Sequence, residues 1–498
     1  LMQGVAAAWL MTSLTPSPLL VALLTTAGSL PLFLVGLPAG ALADVLDRRW
    51  LVVVTQAWML AVAAVLGLLT IPGWMSPWGL LGLTFLLGLG GALSAPAWQA
   101  IIPQLVGRRE LGSAIALNSA GFNMARAIGP ALGGLVVAAW GPGPVFLLNA
   151  VSFLGIMIVI YRWKPVVEET RGPSESVRSA VTAGVRYTRH SKPLRAVLVR
   201  TPAFIIAASA LWALIPVVAS HDLHLSAFGY GVLLASLGIG AVAGATIMPR
   251  LRARLSVDRL VVLGTAGWAG GLLALAYIHN LVVLNAVLLL VGAIWLVTNS
   301  CLNIAIQTMA PNWVSARALG VYLLVYQGGF ASGGVLWGAL AGRFSNQVAL
   351  TSAAAVLIIG LATALRWPLV TGEDLDLSPS HHWREPKLAF EPDLGEGPVL
   401  VTIDYHVADA QAAAFAQAMG EVQILRRKDG ATRWELYRDP AAPDHFVEAY
   451  EVASWGELLR QHERTTVQDH ELEKRALELQ QPGTSPVVSH LIASRQTS

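Results

Sequence analysis

Charged residues and cysteine are scarce in this chain of 498 residues. Asp, Glu, Lys and Arg make up 13% of it, against about a quarter in soluble domains, and 55% of the residues are hydrophobic. A soluble fold of this composition would have too little polar surface to cover itself, so we predict an all-α protein that crosses the membrane many times. The single cysteine, Cys301, excludes an internal disulfide and a cysteine-based metal cluster.

Other signals are missing as well. The phosphate-binding pattern G-x4-G-K-[ST] does not occur, so we do not expect ATP hydrolysis. We predict no metal site and no cofactor. Residues 1–372 contain only 8 acidic residues against 21 basic ones, whereas residues 373–498 contain 22 and 12. This asymmetry indicates two regions that face different solvents, and the small overall charge gives no sign of nucleic-acid binding.

Apolar segments follow one another along the first three quarters of the chain. We predict twelve transmembrane helices separated by turns such as Pro72-Gly73. The first, at 1–14, is shorter than the roughly twenty residues a span needs, so we expect it to be truncated at its beginning. The other eleven are expected at 18–43, 50–71, 78–101, 113–139, 144–163, 196–219, 228–249, 258–279, 282–309, 316–342 and 348–367.

The basic residues lie almost entirely on one side of these segments. Arg48, Arg108 and Arg317 mark loops on that side, together with the long loop between the sixth and seventh helices. The excess of basic residues predicts that this side is cytoplasmic, in a bacterial inner membrane. An even number of helices then places the C-terminal region in the cytoplasm. Within the long loop, 177–199 is expected to form a basic amphipathic helix on the membrane surface.

The chain also contains an internal repeat. Gly36, Gly40 and Arg48 recur 204 positions later as Gly240, Gly244 and Arg252. Two further matches follow in the same order, Q-x3-P-x2-V at 99–106 and 307–314 and S-A-x-A-L at 113–117 and 315–319. Duplicated halves are typical of transporters, whose substrate path lies at the interface between the repeats.

Two motifs resemble those of the major facilitator superfamily. The sequence G-x3-D-x3-R-R at 40–49 is similar to that family's cytoplasmic loop motif, and G-P-x2-G-G at 129–134 is similar to the core of its antiporter motif. Within the superfamily, A-P-A-W-Q-A at 95–100 and N-M-A-R-A-I-G-P-A-L-G-G at 123–134 resemble the enterobactin-exporter-like branch. The resemblance implies two six-helix halves and export of small molecules by alternating access.

A set of motif residues is expected to control gating. Asp44 beside Arg48 and Arg49 can form a latch on the cytoplasmic side, or these arginines simply set the orientation of the loop. Pro130 removes one backbone hydrogen bond, so the fifth helix can bend there, and the glycines around it allow a neighbouring helix to approach closely. The alternative is that these small residues serve static packing alone. The gating residues are Gly36, Gly40, Asp44, Arg48, Arg49, Gly129, Pro130, Gly133, Gly134, Gly240, Gly244 and Arg252.

Arg126 is the strongest candidate for the substrate path. It lies near the bilayer midplane of the fifth helix, where an unpaired arginine costs at least a few kcal/mol, so it should face the interior and have a partner. It either binds an anionic substrate group or forms a permanent ion pair. Other polar residues line the path or bond between helices: Asn118, Asn123, Gln99, Asn149, Asn303, Gln307 and Gln327.

The residues after Arg366 differ in composition. A Pro- and acid-rich linker precedes alternating apolar residues at 399–407, and the following pattern, helix, two strands, helix and strand, predicts a ferredoxin-like βαββαβ domain. R-W-E-L-Y-R-D-P at 433–440 and H-F-V-E-A-Y at 445–450 make it similar to small antibiotic-biosynthesis-monooxygenase-type α+β barrels. That resemblance implies dimerisation through the sheet. Some such domains use a histidine at the position of His462, but no matching catalytic set accompanies it here.

These observations predict five parts. They are an N-terminal six-helix half (1–163), a central cytoplasmic loop (164–195), a C-terminal six-helix half (196–370), a linker (371–397) and a cytoplasmic ferredoxin-like domain (398–498).

The leading hypothesis is a non-enzymatic, proton-coupled exporter of siderophore- or drug-like molecules, surrounded by membrane lipid. No acidic residue lies mid-helix, so coupling would involve Asp44, His221, Asp222, the start of helix one or the substrate itself. Alternatives are a lysophospholipid translocator and a membrane-anchored monooxygenase-like enzyme.

Overall fold

The computed structural model describes residues 2–105, 111–162, 177–372, 375–380, 382 and 390–493. Within those ranges it does not describe the side chains of 37, 41, 43–45, 100, 102–105, 111–120, 122–123, 126–127, 177–183 and 312. The chain forms two compact units. Unit 1 contains 1–174, 197–303 and 322–369, and unit 2 contains 175–196, 304–321 and 370–498.

Unit 1 is built from long apolar helices. Several begin at a polar residue that caps the free backbone N–H groups of the first turn: Asp47 accepts from the N–H of Arg49 and Trp50, and Ser256 accepts from that of Arg259. The helices of the membrane region are α1 (Met2–Leu14), α2 (Pro18–Val45), α3 (Arg48–Thr70), α4 (Pro77–Leu105), α5 (Leu111–Trp140), α6 (Pro142–Arg162), α8 (Lys192–Val217), α9 (Ala227–Arg252), α10 (Val257–Tyr277), α11 (Leu281–Thr308), α12 (Asn312–Arg343), α13 (Asn346–Gly360) and the short α14 (Thr363–Arg366).

Helices occupy all twelve predicted segments, which confirms the all-α membrane architecture. Among the described residues, ten helices are long and apolar enough to cross a membrane. The two predicted spans outside that set are α1, with 13 residues, and α5, whose described apolar part is Ile128–Trp140. A π-helical turn, Val218–Asp222, follows α8.

An arginine links helix ends in each half of unit 1. Arg49, at the start of α3, donates to the carbonyls of Ile160 and Tyr161 at the end of α6. Arg200, in α8, forms a 2.7 Å ion pair with Asp258 at the start of α10 and also donates to the carbonyl of Trp367 after α14. A cation at a helix C-terminus satisfies exposed carbonyls and the helix dipole, so Arg49 stabilises the α3–α6 pair.

Unit 2 contains the predicted ferredoxin-like domain. Its four antiparallel strands have the order β2-β3-β1-β4, in which Val401 pairs with both Tyr450 and His490. Val399, Ile403 and Tyr405 alternate into a core shared with Phe415 and Trp434. The elements are α7 (Val177–His190), β1 (Val399–His406), α15 (Ala412–Asp429), β2 (Arg433–Arg438), β3 (His445–Val452), α16 (Trp455–Arg464), α17 (Val467–Leu477) and β4 (Val487–Ile492).

The helices of this domain differ in detail from the pattern in the sequence. A short 3-10 turn occupies Asp409–Gln411, and α15 then continues to Asp429, where Gly430 ends it with a φ of 133°. The second helical stretch divides into α16 and α17. Thr466 starts α17 with a capping box. The hydroxyl of Thr466 accepts from the N–H of Asp469, and the Asp469 carboxylate accepts from the N–H of Thr466.

The central-loop helix α7 packs on protein within unit 2. The ring of Tyr187 lies 5.3 Å from that of Trp313 and 5.2 Å from the Lys428 ammonium. Arg186 forms a 2.7 Å ion pair with Glu457 of α16. The predicted helix at 177–199 is therefore present as α7, but it ends at His190 and a new helix begins at Lys192. The buried face of α7 around Tyr187 contacts the ferredoxin-like domain and the start of α12.

Candidate functional site

A cavity of about 490 Å³ opens among the helices of unit 1. Its walls come from both halves, with α1, α2, α4 and α5 on one side and α8, α9, α11 and α12 on the other. Sites for small molecules typically have volumes of about 300–1,000 Å³. The lining residues used below are Thr25, Ser29, Thr84, Pro130, Trp212, Tyr230, Trp295, Gln327 and Phe330.

Aromatic rings dominate one side of this cavity. Trp295 lies at their centre, with its ring centroid 5.6 Å from that of Trp212 and 6.4 Å from that of Phe330. Behind it, the buried Trp268 lies 4.6 Å away and donates its indole N–H to the carbonyl of Ala208. Because these rings are fixed by one another, they form a rigid surface on which a flat or ring-containing ligand can stack.

Two polar groups in the wall lack a partner within the described part of the protein. The indole N–H of Trp212 and the hydroxyl of Thr84 are buried without a hydrogen bond. A buried polar group left unpaired costs about 1–3 kcal/mol, so such groups are often satisfied by a ligand or water. Gln327 adds an amide, while no charged side chain lines the cavity among the described residues. This chemistry suits an amphipathic molecule with rings and a few polar atoms.

Glycines allow α5 and α9 to approach each other closely. A Cβ placed on Gly134 would lie 2.7 Å from the carbonyl oxygen of Ala227 and 2.9 Å from the Cα of Gly231. Gly134 is near the end of α5 and Gly231 near the start of α9, which is the end opposite the basic loops. The two helices therefore touch here through backbone, with no room for a side chain at Gly134.

A second contact between the halves joins α2 and α12. The Thr26 hydroxyl donates to the carbonyl of Ala331 over 2.7 Å. A Cβ on Gly338 would lie 2.5 Å from the Cβ of Ala22, and one on Gly328 would lie 2.8 Å from the ring of Phe33. Small residues thus allow close packing along much of this helix pair.

The predicted path residues fall in several places. Gln327 lines the cavity. Asn149 lies instead in a groove between α5 and α6 and donates to the side-chain oxygen of Gln3. Asn303 and Gln307, near the end of α11, and the exposed Gln99 in α4 are not part of the cavity wall. The side chains of Asn118, Asn123 and Arg126 lie outside the described residues, so their role stays a prediction.

The predicted gating residues show two kinds of surroundings. Several glycines meet neighbouring backbone: a Cβ on Gly240 or Gly244 would collide with α11 at Leu289 or Ala293, and one on Gly133 would approach Met2. Gly36 and Gly40 have more room, and no atom of the described residues lies within 4 Å of a Cβ on Gly40. Gly129 and Pro130 are buried in α5, and Arg48 and Arg252 lie at helix ends. The side chain of Asp44 lies outside the described residues, so the latch stays a prediction.

Comparison with known proteins identifies the family. The model for the transmembrane secretion effector family matches residues 1–497. The chain belongs to this family of major facilitator transporters. The match extends through the ferredoxin-like domain as well as the membrane helices, and the family and its relatives are transporters rather than enzymes.

Two proteins are similar in sequence and one solved structure is similar in fold. The enterobactin exporter EntS of Shigella boydii is 30% identical to this transporter over 293 residues, covering 56% of this chain and 68% of EntS. The multidrug efflux pump Tap of Mycolicibacterium fortuitum is 27% identical over 337 residues, covering 64% and 79%. The crystal structure of the nucleoside transporter NupG superposes with a TM-score of 0.57 at 12% identity, covering 74% and 97%, which confirms the fold.

Proposed function

We propose that this transporter exports bulky, ring-containing small molecules of the siderophore or drug type across a bacterial inner membrane by alternating access. The observation that carries the proposal is the cavity with Trp212, Tyr230, Trp295 and Phe330 in its wall, which lies between helices of both halves. Rings stacked on such a surface gain apolar burial and about 0.5–1.5 kcal/mol for each well-placed aromatic pair.

Efflux measurements in everted membrane vesicles test this function. Siderophores, macrolides and dyes are added one at a time to the medium outside the vesicles. Their uptake is compared with uptake by vesicles that lack the transporter. We expect uptake of at least one neutral or amphipathic ring-containing compound. Uptake of none of them, with the transporter present in the membrane, would contradict the proposal.

We further propose that the proton gradient drives export. Asp222, one of the predicted coupling candidates, is an acidic residue at the end of the π-helical turn after α8, where it accepts a hydrogen bond from Asn346. A proton uncoupler should abolish uptake into everted vesicles. Uptake that persists with the uncoupler and depends on sodium would contradict proton coupling while leaving the exported class unchanged.

The ferredoxin-like domain is proposed to be cytoplasmic and to pair with that of a second copy. Tyr437, Val487 and Leu491 lie on the outer face of the sheet and are 51%, 62% and 56% exposed. A homodimer through this face would bury them. We expect the purified transporter in detergent to have the mass of a dimer and Leu491→Arg to give the monomer. Leu394→Arg, at a residue exposed elsewhere in unit 2, is the control and should stay dimeric.

A further inference from the structure

Two histidines and a glutamate lie close together in unit 2. His470 and Glu473 are three positions apart on α17, so both project from one face of that helix. His382 comes from the linker before the domain. One nitrogen of each imidazole and one oxygen of the carboxylate lie within 4.8 Å of one another.

Backbone pairing brings His382 to this place. The N–H of Ser380 donates to the carbonyl of Thr465 over 2.9 Å, and the N–H of Val467 donates to the carbonyl of Ser378 over 3.0 Å. The linker therefore lies along the start of α17. As a result the rings of His382 and His470 are 3.9 Å apart between centroids.

The hydrogen bonds of His382 leave a position for a cation. The Ser380 hydroxyl lies 3.1 Å from the carbonyl oxygen of Thr465 and 2.6 Å from Nδ1 of His382, which holds the ring in place. Nε2 of His382 then faces Oε2 of Glu473 at 3.0 Å, and a carboxylate oxygen is an acceptor. A proton or a metal ion must lie between them. The buried Nδ1 of His470 adds a further donor atom for a metal, since it has no hydrogen-bond partner among the described residues.

The surrounding charges also favour a cation. Arg426 donates through Nε to Glu448 over 3.0 Å and through its terminal nitrogen to Oε1 of Glu473. Glu448 is fully buried and accepts from Tyr405 and Trp434 as well. One guanidinium thus faces two carboxylates, and burying the remaining negative charge is costly unless a cation offsets it. The bond from Arg426 also orients Glu473, as outer-shell partners do for metal ligands.

We propose that His382, His470 and Glu473 bind one divalent transition-metal ion of the Zn²⁺ or Fe²⁺ type. Two imidazoles and a carboxylate are ligands of such ions, whereas Ca²⁺ and Mg²⁺ prefer oxygen alone. Neighbouring ligands of a tetrahedral ion with bonds near 2.1 Å are about 3.4 Å apart, so no distance between two of the three atoms needs to change by more than about 1.4 Å. A cavity of about 140 Å³ beside them, lined also by Tyr405, leaves room for water to complete the coordination.

Metal titration of the full-length transporter tests the site. The protein is purified in detergent without a histidine tag, stripped with a chelator and titrated with Zn²⁺ by calorimetry and with Co²⁺ by visible absorption. We expect one tight ion per chain and a Co²⁺ spectrum typical of four or five ligands. His470→Ala should weaken binding by about 100-fold or more, because losing an outer-shell partner alone costs about 10–100-fold.

The matched control is His406→Ala, which removes a histidine of the same domain that is 48% exposed and lies outside the cluster. It should bind like the wild type. Circular dichroism of the metal-free proteins checks folding, and if His470→Ala is unfolded, His382→Gln provides the same test from the linker side. The proposal is overturned if the wild type binds no stoichiometric metal, or if a folded cluster variant binds as tightly as His406→Ala.

Discussion

Replacing Gly134 with alanine should shift this transporter away from the conformation described above. The added Cβ would lie 2.7 Å from the Ala227 carbonyl oxygen and 2.9 Å from the Gly231 Cα, and both neighbours are backbone. Ordinary contacts are about 3.4 Å or longer, so α5 and α9 must separate by roughly half an ångström or more. Such overpacking typically costs 1–3 kcal/mol.

That cost applies to the state in which α5 and α9 touch and is relieved when they part. At about 1.4 kcal/mol for each factor of ten, the equilibrium should shift by about 5- to 150-fold towards the state open at this end. Gly270→Ala is the matched control, because no heavy atom in the described part of the chain lies within 4 Å of a Cβ on this glycine of α10. It should leave the equilibrium unchanged.

Labelling of a cysteine in the cavity measures the shift. Cys301 is replaced by alanine to remove the native thiol, and Thr25→Cys places a new one in the cavity wall. A membrane-impermeant maleimide is then added from the side opposite the basic loops. Gly134→Ala should label faster than the Gly270→Ala control. Equal labelling rates would refute the inference that the α5–α9 contact closes the cavity.

Three further predictions concern buried charges. Arg426→Met leaves two buried carboxylates without their guanidinium and should destabilise unit 2 by about 3–5 kcal/mol, seen as a lower thermal midpoint; an unchanged midpoint would contradict this. Asp258→Asn removes the counter-charge of Arg200, whose side chain is 4% exposed, and should lower the melting temperature of the membrane region. Asp409→Asn, which breaks the exposed ion pair with Arg438, should leave that temperature unchanged. Burial, with the charges of neighbouring cations, lowers the pKa of His462 from 6.5 to about 4. As the pH falls, His462 of the unfolded chain therefore binds a proton before His462 of the folded chain does. The free energy of unfolding should fall by about 2 kcal/mol as the pH drops from 6.5 to 4. His462→Phe should flatten that pH profile in hydrogen-exchange measurements.

The sequence was sufficient to predict the membrane helices and the small C-terminal sheet. Apolar length places the spans to within a few residues, since α2 ends at Val45 against an expected 43 and α3 begins at Arg48 against 50. Alternation predicts β1 in the same way. The pattern predicts the helix α15 but does not fix its end at Asp429, because its last residues, R-R-K-D, are polar and carry no apolar stripe.

The aromatic cavity was harder to predict. Trp212, Trp295 and Phe330 lie on separate apolar helices, and in such segments an aromatic residue most often serves packing. Only the tertiary arrangement places them around one space. Gln327 was found because a polar residue in an apolar helix is conspicuous, whereas the indole N–H of Trp212 carries no such signal.

The histidine cluster was missed for a related reason. His470 and Glu473 show helical spacing, but His382 is 88 positions earlier in a linker, where a histidine is usually exposed to solvent. The backbone pairing of Ser380 with Thr465 brings them together, and that pairing has no periodic signature in the sequence.

Transport by a cavity variant tests the central claim most directly. Trp212→Phe with Thr84→Val removes the two polar groups that lack partners among the described residues and keeps an aromatic ring and a β-branched side chain in the wall. For a compound exported by the wild type, KM in everted vesicles should rise about tenfold, because each lost hydrogen bond is worth about 0.5–1.5 kcal/mol. Trp74→Phe, at a ring that is 77% exposed, should leave KM unchanged. An unaltered KM in the double variant would contradict transport through this cavity.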